Sequence, residues 1–426
     1  MVHMPHWPKK TINFPAINDL SRMFRILAHF GNPHLSLPPV IHVAGTNGKG
    51  STCAMLAAIF QDAGYSAHIY TSPHLVQFNE RIILNGQKID DDFLFKILEK
   101  TRIGTEKIGL ELSFFEAITV ASFLAFSIKK ADVLILETGL GGRIDATNVV
   151  QDPMITIITP ISYDHMEFLG PRIELIAHEK AGIIKKNTPC IISMQEQIVM
   201  DILLQKCEEL HAEAIAYEYD FVPKKNKSGF YFYSLAGNIQ FSDPNLIGNH
   251  QIINASSVIA AILKIRKQFN ISENNIKSGL TKIRWPGRLQ KFDVGRVVKN
   301  PKNSLCWLDG AHNIAGASAV CDWLEEQNFK DLVLLVGFTK NRDVASILSQ
   351  FKKVNPKIFG VRVLSEPSSY TAEALIEKAR EAHIELTGVD SIEEAFMAAV
   401  EYSENARIIV TGSLFLVADC LKINLL

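Results

Sequence analysis

The chain has 426 residues, 47% hydrophobic and 21% charged, with 44 Lys and Arg against 45 Asp and Glu. That is material for two domains of ordinary size, and a net charge of −1 gives no field to draw it to nucleic acid or an anionic membrane. Six cysteines (Cys53, Cys190, Cys207, Cys306, Cys321, Cys420) lack C-x-x-C spacing, which argues against a zinc site or a disulfide framework and fits a reducing compartment.

The first ten residues lack the apolar core of a signal peptide. A helical pattern at Leu20–Leu27 and a loop at Gly31-Asn32-Pro33 follow. Next, the apolar run Val40–Ala44 ends in Gly45-Thr46-Asn47-Gly48-Lys49-Gly50-Ser51-Thr52. A helical stretch, Thr52 to Ala63, comes after it. Strand, glycine turn and helix form the context of a phosphate-binding loop, in which backbone amides and the helix dipole face an anion. Lys49 would reach terminal phosphates, and Ser51 or Thr52 would turn a hydroxyl to Mg²⁺. The spacing departs from the general G-x-x-x-x-G-K-[ST] pattern, so a plain βα turn is the alternative.

Strand candidates Ala67–Tyr70, Val133–Glu137 and Ile155–Thr159 alternate with helical stretches at Phe93–Thr101 and Phe114–Lys129. This alternation predicts a mostly parallel sheet buried on both faces. Its longest apolar run, Ile118–Ile128, is too short to span a bilayer. Ligands in such sheets bind at the carboxyl ends of the strands, and the chemically loaded residues fall there. Ser72 follows the second strand. Glu137 ends the third, where it would hold Mg²⁺ or pair with Arg143. His165 follows the fourth, as a metal ligand or a structural histidine. Lys185 and Lys186 read as solvated helix-end charges. Lys180 precedes an apolar run, so burial would demand a carboxylate partner or chemical modification.

Residues 187–245 are less legible, apart from an alternating antiparallel hairpin over 222–241. A helix begins at Gly248-Asn249-His250-Gln251 and places Asn254 on its apolar side. Trp285-Pro286-Gly287-Arg288 marks a domain boundary. After it the α/β alternation restarts, with Asp309-Gly310-Ala311-His312-Asn313 after its first strand and no G-x-G-x-x-G fingerprint. The expected fold is α/β in two domains. An N-terminal P-loop mononucleotide-binding parallel sheet with a small antiparallel β subregion spans 1–284. A linker spans 285–296, and a smaller Rossmann-like domain spans 297–426.

Ten motifs in order carry a resemblance along nearly the whole chain: 45–52, 71–75, 78–82, Gly-Leu-Gly-Gly-Arg-Ile-Asp-Ala-Thr-Asn (139–148), Asp164-His165, 179–183, 248–251, 285–288, 309–313 and 411–414. Together they resemble the folylpolyglutamate synthase/dihydrofolate synthase family of the Mur ligase superfamily. The resemblance implies that Thr46 through Ser51 hold ATP phosphates and that Ser72, Glu137 and His165 ligate Mg²⁺. It implies a carbamylated Lys180, with Lys49, Lys180 and His165 as the catalytic set. Asn254, Arg288, Asp309 and His312 would contact nucleotide, the last three across an interdomain cleft, and Asp145 would lie near the pterin.

The implied reaction turns a substrate carboxylate into an acyl phosphate, which the amine of L-glutamate attacks to release ADP and phosphate. The implied acceptors are dihydropteroate and, in a bifunctional form, tetrahydrofolates. A monomeric cytoplasmic enzyme with no nucleic-acid or membrane partner is expected. A monofunctional folylpolyglutamate synthase, a UDP-muramyl amino-acid ligase and a non-catalytic nucleotide-binding switch are the competing readings.

Overall fold

The computed structural model describes residues 7–8, 19–235 and 237–423. The first ten residues, where no signal peptide was expected, lie mostly outside them. The chain divides into two units: one runs to Asn245 and resumes at Gln251–Arg284, and the other comprises Leu246–His250 and the chain from Trp285 onward.

The first unit is built on an eight-stranded sheet. Its strands are β1 (Val40–Ala44), β2 (Ala67–Tyr70), β3 (Ile82–Leu84), β4 (Gln87–Lys88), β5 (Val133–Glu137), β6 (Ile155–Ile158), β7 (Cys190–Ile192) and β8 (Ala214–Ala216). They lie in the order β4-β3-β2-β5-β1-β6-β7-β8. From β2 to β8 every pairing is parallel, while β2–β3 and β3–β4 are antiparallel. All residues of β1, β5 and β6 are buried, as continuous apolar runs require when helices cover both faces. The pleat sends Leu134 and Leu136 of β5 into one core with Ile26, Ile118, Phe123 and Phe126. A second core gathers Ile158, Ile176, Ile184, Ile192 and Leu203.

Three features of this unit differ from the sequence expectation. The helix after β1 starts at Lys49 and not Thr52, so Lys49 is its first residue. Strands β7 and β8 are three residues each, too short to show a period. Lys185 lies beyond the end of helix Ile173–Ala181 and is half-buried, with desolvation lowering its pKa against the opposing pull of Asp152. It is therefore not a solvated helix-end charge, whereas Lys186 is exposed. A separate antiparallel sheet is formed by β9 (Phe221–Asn226), β10 (Gly229–Ser234) and β11 (Gly237–Phe241).

The second unit carries β12 (Gln290–Phe292), β13 (Leu305–Leu308), β14 (Leu332–Val336), β15 (Lys357–Val361), β16 (Thr387–Val389) and β17 (Arg407–Thr411). Their order is β12-β13-β17-β14-β15-β16, parallel except for β12 against β13. Residues 285–296, expected as a linker, thus supply an edge strand of this sheet. Leu246–His250 also belongs to this unit: Ile247 packs on its core, and Asn249 donates to Glu326 at 2.5 Å. Among the described residues, no helix is long and apolar enough to cross a membrane.

Candidate active site

In the first unit the strand order sets β2, β5, β1 and β6 side by side, so the loops after all four leave the same edge of the sheet. Ser72, Glu137, the 45–51 turn and His165 follow these four ends in that order.

The 45–51 turn is fixed by its neighbour on β6. The amides of Thr46 and Asn47 donate to the Pro160 carbonyl at 3.0 and 3.2 Å. The Thr46 hydroxyl donates to the Ser162 carbonyl at 3.0 Å and accepts from the Ser162 amide at 3.1 Å. Asn47 Nδ2 reaches Ser162 Oγ at 3.2 Å. These two residues therefore shape the turn with their own polar groups. The amides open to an anion are those of the first helical turn, which have no partner within the helix. Gly48 caps that helix at φ +87°. A Cβ there would sit 2.4 Å from Asn254 Oδ1, so only glycine lets Asn254 lie against the turn. Asn254 is itself buried and donates to Gln251 Oε1 at 3.0 Å.

Two lysines converge on one carbonyl. Lys49 Nζ donates to the oxygens of Gly45 and Thr46 at 3.0 and 3.1 Å, and Lys180 Nζ donates to the same Gly45 oxygen at 2.7 Å. Lys180 is only 4% exposed. Burial, with the Lys49 charge adding to it, lowers its pKa to about 7 against the opposing pull of Asp164, Asp145 and Glu179.

Glu137 is buried and accepts the Ser72 amide at 3.3 Å. Arg143 pairs with Glu179 at 2.9 and 2.8 Å, which disposes of the alternative pairing of Glu137. His165 takes φ +50°, a left-handed position uncommon for a residue with a side chain. Its ring is 36% exposed and lies 3.8 Å from Asp164.

Among the described residues, no three His, Cys, Asp or Glu side chains are gathered as a metal cage. What the edge offers, outside the 139–148 loop, is the buried carboxylates of Glu137 and Asp164 and the hydroxyls of Ser72 and Ser51. That hard, sparse oxygen set suits Mg²⁺, which keeps water and takes substrate phosphates as its other ligands.

Asp145, expected near the pterin, is buried and accepts four hydrogen bonds from its own loop: Gly139 and Leu140 amides at 2.9 Å each, and the Thr147 amide and hydroxyl at 3.0 and 2.5 Å. Burial raises its pKa, and these bonds work against that rise. The chain continues from the Thr147 hydroxyl to Nε2 of buried His42 on β1 at 2.9 Å. Burial takes His42 down to about 3, so it is neutral. The carboxylate thus braces the 139–148 loop against the central strand.

In the second unit Arg288, Asp309 and His312 come together at the end of β13. Asp309 accepts the Leu289 and Ala311 amides at 2.9 and 2.8 Å. His312 Nδ1 lies 2.8 Å from the Gly310 carbonyl, which fixes the ring. Arg288 Nη1 would lie 2.7 Å from a Cβ on Gly310, so that glycine makes room for the guanidinium. His250 is half-buried, and desolvation lowers its pKa against the pull of Asp309, with Arg288 adding to the fall; its place in the Gly-Asn-His-Gln motif was the only sequence signal for it.

Residues 43–262 match the Mur ligase middle domain, and residues 290–423 match the dihydrofolate synthetase C-terminal domain. The chain is 32% identical to the dihydrofolate synthase/folylpolyglutamate synthase of Bacillus subtilis, covering 98% of this chain and 97% of that protein. It superposes on Escherichia coli FolC in complex with DHPP and ADP with a TM-score of 0.84 and 28% identity, over 97% of this chain and 94% of that one. A bifunctional folylpolyglutamate synthase/dihydrofolate synthase with Mn, AMPPNP and L-glutamate bound gives 0.84 and 27%, over 96% and 94%. The chain therefore belongs to the dihydrofolate synthase/folylpolyglutamate synthase family of Mur ligases, which are ADP-forming enzymes.

Proposed function

We propose that this enzyme adds L-glutamate first to 7,8-dihydropteroate and then to reduced folates, through an acyl phosphate. The observation that carries the reading is the shared Gly45 carbonyl, which sets Lys49 and Lys180 beside the glycine turn on the same sheet edge as Glu137. It is supported by a relative that bears both activities in its name and by solved neighbours that hold ADP with DHPP, and a nucleotide analogue with L-glutamate.

A carboxylate and an amine do not condense in water without activation. In this reading the amides from Gly48 to Ser51 cradle the phosphates of ATP. Lys49 leaves the Gly45 and Thr46 carbonyls to follow the γ-phosphoryl group as charge builds on it. Glu137, Ser72 and His165 would hold Mg²⁺, which when bound neutralises phosphate charge as the acceptor carboxylate approaches. Lys180, already depressed in pKa, reacts as a free amine whose nitrogen bonds to the carbon of carbon dioxide while one N–H proton leaves to solvent. The resulting carbamate replaces a cation with a carboxylate-like anion beside Lys49. Asn254 in the first unit, and Arg288, Asp309 and His312 in the second, are assigned to nucleotide contact on the family resemblance. Asp145 fixes the loop against which the pterin rests.

The test is ADP release with ATP, Mg²⁺ and glutamate, with either 7,8-dihydropteroate or tetrahydrofolate as acceptor. Turnover with both is expected. Turnover with tetrahydrofolate alone would leave a monofunctional folylpolyglutamate synthase, and dependence on neither would overturn the reading.

A further inference from the structure

Ser72 lies on the long connection between β2 and β3. The two strands pair antiparallel through Ile69↔Ile83 and Tyr70↔Ile82. The pairing closes with the Thr71 amide on the Arg81 carbonyl at 3.1 Å. Beyond that bond the segment 72–77 has no ladder to hold it, yet a ligand hydroxyl must be held to a fraction of an ångström.

One carboxylate organises the segment. Glu80 Oε2 accepts the amides of Leu75 and Val76 at 2.7 and 3.1 Å, and Oε1 accepts the amide of Gln77 at 3.0 Å. Only the last bond belongs to the capping box of the short 3₁₀ turn Phe78–Arg81. The other two reach upstream, toward Ser72, and a helix cap does not require them. Next to Glu80, Arg81 Nε donates to His74 Nδ1 at 2.9 Å. Its guanidinium is held 5.8 and 5.7 Å from the ring centroids of Phe78 and Phe114. Residues 74 through 77 are therefore each tied down by a side chain from 80 or 81. On the other side, the Ser72 amide is tied to Glu137 at 3.3 Å. Hydrogen bonds to an ionised carboxylate are roughly twice as strong as neutral ones. The Lys88–Glu80 pair, by contrast, is long at 3.5 Å and lies in an exposed setting, where such pairs contribute little.

We propose that Glu80 is a positioning residue for the divalent cation. By gathering the amides of residues 75–77 it holds the loop so that the Ser72 hydroxyl and the Glu137 carboxylate are presented to the cation together. This rests on Ser72 being a metal ligand, as read above.

The experiment measures Mn²⁺ binding by electron paramagnetic resonance in the presence of ADP, for the full chain and its Glu80→Gln, Ser72→Ala and double variants. ADP affinity without metal and thermal unfolding are measured alongside, with Lys88→Ala as the control for the exposed ion pair. Glu80→Gln is expected to weaken Mn²⁺ binding on the order of 10-fold, the lower end of what losing an outer partner of a metal ligand costs. Metal-free ADP affinity and Lys88→Ala should stay at the wild-type level, and the double variant should bind Mn²⁺ no more weakly than Ser72→Ala. Should Glu80→Gln melt below the assay temperature, Glu80→Asp takes its place with the same expectation, because it keeps the charge and shortens the reach. Wild-type Mn²⁺ affinity in the Glu80 variant, or full additivity with Ser72→Ala, overturns the proposal. Wild-type Mn²⁺ affinity in Ser72→Ala overturns the ligand reading itself.

Discussion

Lys180 Nζ donates to the Gly45 carbonyl at 2.7 Å, which makes a buried amine part of the glycine turn. Unfolded, this lysine keeps its proton to about pH 10.5, whereas folded it loses it near pH 7. Between those values the folded chain binds fewer protons, so its contribution to stability rises with pH, by at most about 1.4 kcal/mol per unit. In buffer stripped of carbon dioxide, urea unfolding from pH 7 to 9 should show this rise in the wild type, and Lys180→Met should lack it. Equal slopes would place the pKa elsewhere.

The same depressed pKa makes Lys180 a nucleophile at neutral pH. Adding bicarbonate should raise activity and add the mass of one carbon dioxide to the intact protein. Lys180→Ala should be inactive and partly rescued by short carboxylic acids. No mass gain, together with no response to bicarbonate, would count against the carbamate.

Gly48→Ala forces a Cβ to within 2.4 Å of Asn254 Oδ1 at a positive φ. The left-handed position costs about 1–2 kcal/mol for a residue with a Cβ, which a core of this size survives. The expected result is a folded protein with a modestly lower melting temperature and a large loss of ATP affinity by calorimetry. Unchanged affinity would mean that Asn254 and the turn do not act on the nucleotide.

How much of this was legible in the sequence depended on length of signal. β1 and β5 announced themselves as apolar runs ending in glycine or a carboxylate, β6 as one ending in Thr159-Pro160, and the edge they define follows from their order. β7 and β8, at three residues each, carry no period and were missed. Glu137 and Lys180 stood out because an acid ending an apolar strand and a lysine before an apolar run are each locally unusual, whereas Ser72, which reads as a turn residue before proline, entered only through the family resemblance. Glu80 did not stand out: three backbone amides gathered by one carboxylate leave no composition cue, since the amides belong to any residue. The alternative pairing of Glu137 with Arg143 needed three dimensions to settle, because Glu179 lies far along the chain from Arg143 yet beside it in space.

Glu137→Ala removes the one buried carboxylate at the end of β5. Turnover should fall on the order of 10²–10³-fold, the equivalent of several kcal/mol of lost charge stabilisation, and extra Mg²⁺ should recover part of it. Near wild-type turnover at limiting Mg²⁺ would remove Glu137 from the metal site.

Asp145→Asn turns an NH₂ group toward amides that need an acceptor. With Gly139, Leu140 and Thr147 competing for one oxygen, the loop should lose about 1–3 kcal/mol, read as a drop in melting temperature. The KM for dihydropteroate should rise while that for ATP changes little. A raised KM with an unchanged melting temperature would make Asp145 a direct pterin contact and not a brace.

In the proposed mechanism a phosphoryl group passes to the acceptor carboxylate before the amine attacks. Dihydropteroate labelled with ¹⁸O in its carboxylate tests this directly, with the released inorganic phosphate read by mass spectrometry. One labelled oxygen should pass to phosphate for each amide formed, and phosphate free of label would contradict the mechanism.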